Sequence, residues 1–306
     1  MLTFAFQIII VATASSERKK FFQRLRKAKG LEEEPSEMTF MDHLEALRWH
    51  IMRSVIVWVA VAITLFVFID WIYDNVITAP ARENFITYGA LCRFGQWLGV
   101  GNSLCMPPVK IDFQINEVNG TFSSALNIAM IGGVIVAFPY IFWELWRFIK
   151  PALSPKEKKY ARGSIFWVSL CFFAGAAFGY YLLAPFTFNF LASFTLGKTG
   201  IIQYKPTIND YIDSLTNLIL GCGIAFELPI LAFVLAKIGL INAKFLKKYS
   251  KYAFVIILLV AAIITPSPDM TSQIIVALPL LLLYWISILL VSRVDKQKAK
   301  EEKEWS

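Results

Sequence analysis

The chain has 306 residues, of which 57% are hydrophobic, 15% aromatic and only 17% charged, with a mean hydropathy of +0.57. Its apolar residues collect in long runs and not on amphipathic faces, which excludes a water-soluble domain and indicates an all-α polytopic membrane helical bundle. The net charge of +8 would suggest a nucleic-acid partner in a soluble protein, but here the placement of the charges accounts for it and no nucleic acid is implied.

Residues 1–37 read as a basic N-terminal tail. Met1 to Ala14 is apolar and is followed by Ser15-Ser16 and a block that includes Arg18, Lys19 and Lys20. No positive charge precedes the apolar run, so it makes a poor signal peptide, and it is short for a span. Three readings stand: an interfacial anchor, a seventh segment with its N-terminus outside, or an early start codon with Met38 or Met41 as the working start.

From residue 38 a six-span domain is expected to run to residue 292. Thr39 with Asp42 three residues on is a capping-box-like helix start. Phe40, Leu44, Leu47 and Ile51 follow on one face, with Asp42, Glu45 and Arg48 off it. Beyond Ser54 the charges vanish, and Val55 to Ile69 holds one weakly polar residue, Thr64. A charged amphipathic helix thus runs without a break into a membrane span. His43 and His50 lie one heptad apart with no cysteine nearby. That is a poor chelating spacing, so an interfacial face is expected and no metal.

The spans are placed at about 52–69, 122–146, 163–186, 210–236, 252–264 and 273–291. The last two are short. The fifth, at about 1.5 Å per residue, reaches only ~20 Å of a ~30 Å hydrocarbon core, and it stops at Thr265-Pro-Ser-Pro268. Nine basic residues (Arg18 to Arg53) precede the first span. Six (Arg147 to Arg162), five (Lys237 to Lys251) and five (Arg293 to Lys303) follow the second, fourth and sixth; the other face has Arg82, Arg93, Lys110, Lys198 and Lys205. Both termini, including a charged tail at 293–306, are therefore expected to be cytoplasmic. The outer loop at 70–121 contains Cys92 and Cys105, which can close a disulfide in an oxidising compartment or remain two reduced thiols.

Few polar residues interrupt the spans. Glu227, in Gly223-Ile-Ala-Phe-Glu-Leu-Pro229, is the one carboxylic acid expected deep inside one, where it costs on the order of 3 kcal/mol. It is either a protonated partner for a neighbouring helix or part of a polar pocket, and Pro229 is expected to kink the helix beside it. Glu144, beside Trp143, Trp146 and Arg147, reads as a charged anchor in an interfacial belt. Asp269 reads as a solvated residue of the outer turn. No Walker A, GxSxG, HExxH or zinc-ligand spacing occurs, so neither an enzyme nor a cofactor is expected.

Several motifs, taken in order, resemble the TatC family, core subunits of the twin-arginine protein translocase. His43-Leu-Glu-Ala-Leu-Arg48 resembles the family's opening HLxELR. Ala79-Pro80 fits its first outer loop. Pro139 and Trp143-Glu-Leu-Trp-Arg-Phe-Ile-Lys-Pro-Ala-Leu153, then Glu157, resemble its second span and first cytoplasmic loop. Phe173-Ala-Gly175 to Pro185, Phe226-Glu-Leu-Pro229 and Thr265-Pro-Ser-Pro-Asp-Met-Thr-Ser-Gln273 resemble its third span, fourth span and 5–6 turn.

The resemblance implies recognition of Arg-Arg signal peptides on folded cargo, in an oligomeric complex with TatA-type single-span subunits, at a bacterial-type cytoplasmic membrane and its lipid; whether a TatB-type subunit also serves it stays open. It implies a signal-peptide surface at Glu45, Arg48, Phe148 and Glu157, and partner-helix docking at Thr265 and Gln273. Carboxylates suit that task because a guanidinium binds them bidentately and so checks geometry as well as charge. Two departures stand out: the family's glutamate in HLxELR falls on Ala46, with Glu45 one position earlier, and Trp285 occupies a place where members often carry Glu. The competing reading is a secondary transporter for ions or small molecules, which would call for repeated halves with paired broken helices and several midplane charges.

Overall fold

The computed structural model describes residues 40–82, 84–97, 99, 105, 113–149, 164–193, 205–265 and 270–305. The chain falls into two compact units, Met1–Arg48 and Trp49–Ser306. Among the described residues five helices are long and apolar enough to cross a membrane, and Ser250–Ile264 forms a shorter apolar one, which makes up the six-helix bundle.

The first helix, α1 (Phe40–Val67), is one unbroken element of 28 residues. After Trp49 it is held to the second span, α4 (Gly120–Ile149), by a few spaced contacts. Trp58 Nε1 donates to the Met130 carbonyl at 2.9 Å, and Phe66 meets Phe122 edge-on. Between them α1 lies so close that a Cβ on Gly133 would stand 3.1 Å from that of Ala62. Most other side chains of this span stay uncovered, as lipid-facing residues of an outlying helix do.

The described part of the loop between the first two spans holds several short helical elements. α2 (Ile69–Ile72), a π-helical turn at Tyr73–Ile77, a 3₁₀ turn at Ala79–Ala81 and α3 (Ile86–Trp97) follow in order. Tyrosine hydroxyls pin it to the bundle: Tyr180 donates to the Val76 carbonyl at 2.7 Å and Tyr211 to that of Ile77 at 2.8 Å. Cys92 and Cys105 are joined in a disulfide, with a Cα–Cα distance of 4.3 Å.

The third span is α5 (Ser164–Phe178), a π-helical segment at Gly179–Leu183, and α6 (Ala184–Ser193). Pro185 has no N–H for the carbonyl one turn back, that of Tyr181. Thr87 takes it, its hydroxyl donating at 2.5 Å, so the irregular backbone is resatisfied by the loop between the first two spans.

The centre of the bundle is the crossing of the third span with the fourth, which comprises α7 (Ile208–Ala225) and α8 (Leu228–Ile238). A Cβ on Gly175 would stand 2.5 Å from the Cys222 carbonyl, and one on Gly179 2.7 Å from that of Leu218. The two glycines form a GxxxG pair that lets the backbones touch. α7 starts at Thr207, whose side chain accepts from the Asp210 N–H at 3.1 Å.

α8 ends at Gly239 in the left-handed conformation, φ 89°. α9 (Ala243–Lys248) and α10 (Ser250–Ile264) follow; fifteen residues give α10 a length of about 22 Å, short of a ~30 Å core as expected. The last helix, α11 (Met270–Trp305), does not stop where its apolar run does. Val291 and Val294 pack on Ala236 and Ala243, Asp295 accepts from the Ala243 N–H at 2.8 Å, and the Lys298 ammonium donates to the Ala236 carbonyl at 2.9 Å. The helix thus continues through the charged segment to Trp305, and Val294, Asp295 and Lys298 pack back on α8 and α9, with a cation set against the C-terminus of α8.

Candidate functional site

The end of the second span carries Tyr140, Glu144, Arg147 and Phe148 at helical positions i, i+4, i+7 and i+8, one face of α4. Glu144 is 1% exposed. A carboxylate so buried is costly unless its lone pairs are used, and here three donors use them. His50 Nδ1 donates to one oxygen; the Tyr140 hydroxyl (3.2 Å) and the Arg147 guanidinium (3.4 Å) approach the other. Arg147 in turn lies over the Trp143 ring, 5.0 Å from its centre. The Phe148 ring meets His50 edge-on, with centroids 6.3 Å apart and planes at 62°.

This corrects two expectations. Glu144 is not an exposed interfacial anchor, and His50 does not simply face the interface. They form a buried contact between the first and second spans. The residues are 94 positions apart, and local pattern carries no information about a partner at that distance.

Of the four residues expected to face a signal peptide, Phe148 is half-buried beside this pair. Glu45 and Arg48 are exposed on the opening turns of α1. Glu157 lies outside the described residues, as does Asp269.

Glu227 stands where the fourth span breaks. α7 ends at Ala225, and Glu227 stands at the N-cap position of α8, without a side-chain capping bond and with Pro229 in the first turn, so the expected interruption is present. Glu227 is half-buried and its Oε1 has no partner among the described residues; the same is true of the buried Ser169 hydroxyl. Glu227 is also not alone as an acid in a span, since Glu144 is more deeply buried. A polar seam between the second and fourth spans, not singled out from the sequence, adds Asn127 donating to Asp213 at 2.5 Å and Ser124 bonded to Asn209.

Thr265 is buried and its hydroxyl donates to the Ala261 carbonyl at 3.0 Å, while Gln273 reaches back from α11 to the Leu258 carbonyl at 3.0 Å. Gln273 therefore ties the last two spans together. Trp285 is 69% exposed on α11.

Comparison with known proteins agrees with this architecture. Residues 42–279 match the family model described as Sec-independent protein translocase protein (TatC). The chain is 38% identical over 269 residues to the Sec-independent protein translocase protein TatC of Blattabacterium sp. subsp. Periplaneta americana (strain BPLAN), covering 88% of this chain and 100% of that one. It is 44% identical over 182 residues to the TatC of Helicobacter pylori strain J99, 60% of this chain and 71% of the relative. Its fold matches a crystal structure of the twin arginine translocase receptor TatC with a TM-score of 0.64 at 28% identity, over 83% of this chain and 99% of the other. Both the order of the motifs and the bundle they build have this one match in common: the chain belongs to the TatC family of Sec-independent protein translocase proteins.

Proposed function

We propose that the chain is the signal-reading subunit of a twin-arginine translocase in a bacterial-type cytoplasmic membrane, with both termini in the cytoplasm. Glu45, Arg48, Phe148 and Glu157 are the residues that receive the Arg-Arg signal of a folded cargo protein. Thr265 and Gln273 mark where the transmembrane helix of a TatA-type or TatB-type subunit docks in the oligomeric complex, and Glu227 supplies a polar group at depth. The observation that carries this reading is the extent of the family match, residues 42–279, which includes every one of these positions. The transporter reading has no support from the comparisons.

The chemistry of the two faces divides the labour among the carboxylates. A guanidinium entering from water needs an accessible acid with free lone pairs. Glu144 is buried and already holds three donors, so it orders the end of the second span. Glu45 is exposed and available. Photocrosslinking of an Arg-Arg signal peptide to the membrane-inserted chain tests the surface. Glu157→Ala should lower the crosslink yield with insertion intact, and an unchanged yield removes Glu157 from the site.

A further inference from the structure

Between α10 and α11, at the end of the bundle that carries Lys244, Lys247, Lys248 and Lys251, lies a groove of about 380 Å³. Its walls are apolar: Phe254 on α10 faces Trp285, Ile288 and Leu289 on α11, and all but Ile288 are exposed. Lys247 and Ser250 stand at its polar end. Tyr284 closes the groove on one side, and its hydroxyl is occupied, donating to the Leu246 carbonyl at 2.7 Å.

The charges of the segment leading into α10 are one-sided. From Gly239 to Ile264 the chain has four lysines and no acid. Among the described residues Asp295 contacts this segment, and it is bonded to the Ala243 N–H. Lys248 leans toward the Tyr249 ring, 5.8 Å away, and the Ser250 hydroxyl donates to the Lys247 carbonyl at 2.9 Å. The Lys247 ammonium makes no ion pair among the described residues. A short apolar trough with a cation at its polar end that has no ion pair among the described residues matches an amphiphile with an anionic head.

We propose that this groove is a binding site for one anionic phospholipid of the adjacent leaflet. The phosphate lies at Lys247, and one acyl chain runs along Phe254, Trp285 and Leu289. The site is separate from the signal-reading surface and does not depend on it. A basic residue at the membrane surface favours an anionic lipid by about 1 kcal/mol, or roughly fivefold.

The test uses the full chain in phosphatidylcholine nanodiscs that contain a minor fraction of acyl-brominated lipid, either phosphatidylglycerol or phosphatidylcholine. The Trp285 signal is isolated by subtracting the fluorescence of Trp285→Phe. Brominated phosphatidylglycerol should quench it at roughly one-fifth the mole fraction that brominated phosphatidylcholine needs. Lys247→Gln should abolish most of that preference, whereas Lys300→Gln, which removes an equal charge from the distal end of α11, should keep it. Equal quenching by the two lipids, a preference that survives Lys247→Gln, or an equal loss in Lys300→Gln overturns the proposal. So does a loss of quenching by both lipids alike when co-purified single-span subunits are added, because the groove would then be a protein-helix dock.

Discussion

His50→Ala removes the donor closest to a carboxylate that is 1% exposed. Glu144 would be left with the Tyr140 hydroxyl at 3.2 Å and a guanidinium at 3.4 Å whose side chain is 44% exposed. Breaking a buried pair on one side costs about 3–5 kcal/mol. Two donors remain, so the cost here should lie near the lower end, about 3 kcal/mol. Glu144→Ala deletes the buried acid instead. The His50 side chain is 18% exposed and can turn to water, so the loss is the cavity plus one orphaned hydroxyl, about 2 kcal/mol. The double variant should therefore lose much less than the two singles combined, with a coupling of about 1–3 kcal/mol. Equilibrium unfolding of the four proteins in mixed detergent micelles reads this directly. Additivity within about 0.5 kcal/mol, or a His50→Ala protein as stable as the parent, would refute the buried-pair reading.

Gly175→Ala should destabilise the bundle by about 1–3 kcal/mol because its new Cβ meets the Cys222 carbonyl, a backbone atom that cannot swing away. Gly132→Ala, which meets only the tip of Leu65 at 3.1 Å, should cost far less, and thermal unfolding of the two variants compares them. Glu227→Gln keeps the size and polarity of the acid and should retain most export of a reporter cargo, whereas Glu227→Ala should impair it more. Equal loss in both, with both stably inserted, would mean that an ionisable group is needed there. Peptide mapping of unreduced membranes should find Cys92 joined to Cys105, and freely alkylated thiols at both positions would rule the bridge out.

Membrane spans are legible because hydrocarbon tolerates only long apolar runs. The break in the fourth span could be read from Pro229, whose missing N–H has local consequences. The GxxxG pair at Gly175 and Gly179 and the lost hydrogen bond at Pro185 were equally local signals, and they explain the central helix crossing and the docking of Thr87. By contrast, the His50–Glu144 contact could not be read, because a carboxylate beside two tryptophans looks the same whether it faces water or a histidine on another helix. The helical end of the chain was hidden for a related reason. Asp295 and Lys298 have the composition of a solvated tail, and only the carbonyl and N–H groups presented near Gly239 make them packing residues.

The central claim is that this chain reads paired arginines, and equilibrium binding to a signal peptide tests it most directly. The full chain in nanodiscs should bind a fluorescent Arg-Arg signal peptide and lose at least tenfold in affinity, about 1.4 kcal/mol, for the Lys-Lys peptide, because an ammonium cannot form the bidentate contact. Equal affinity for the two peptides, with the protein shown to be folded, would contradict the account.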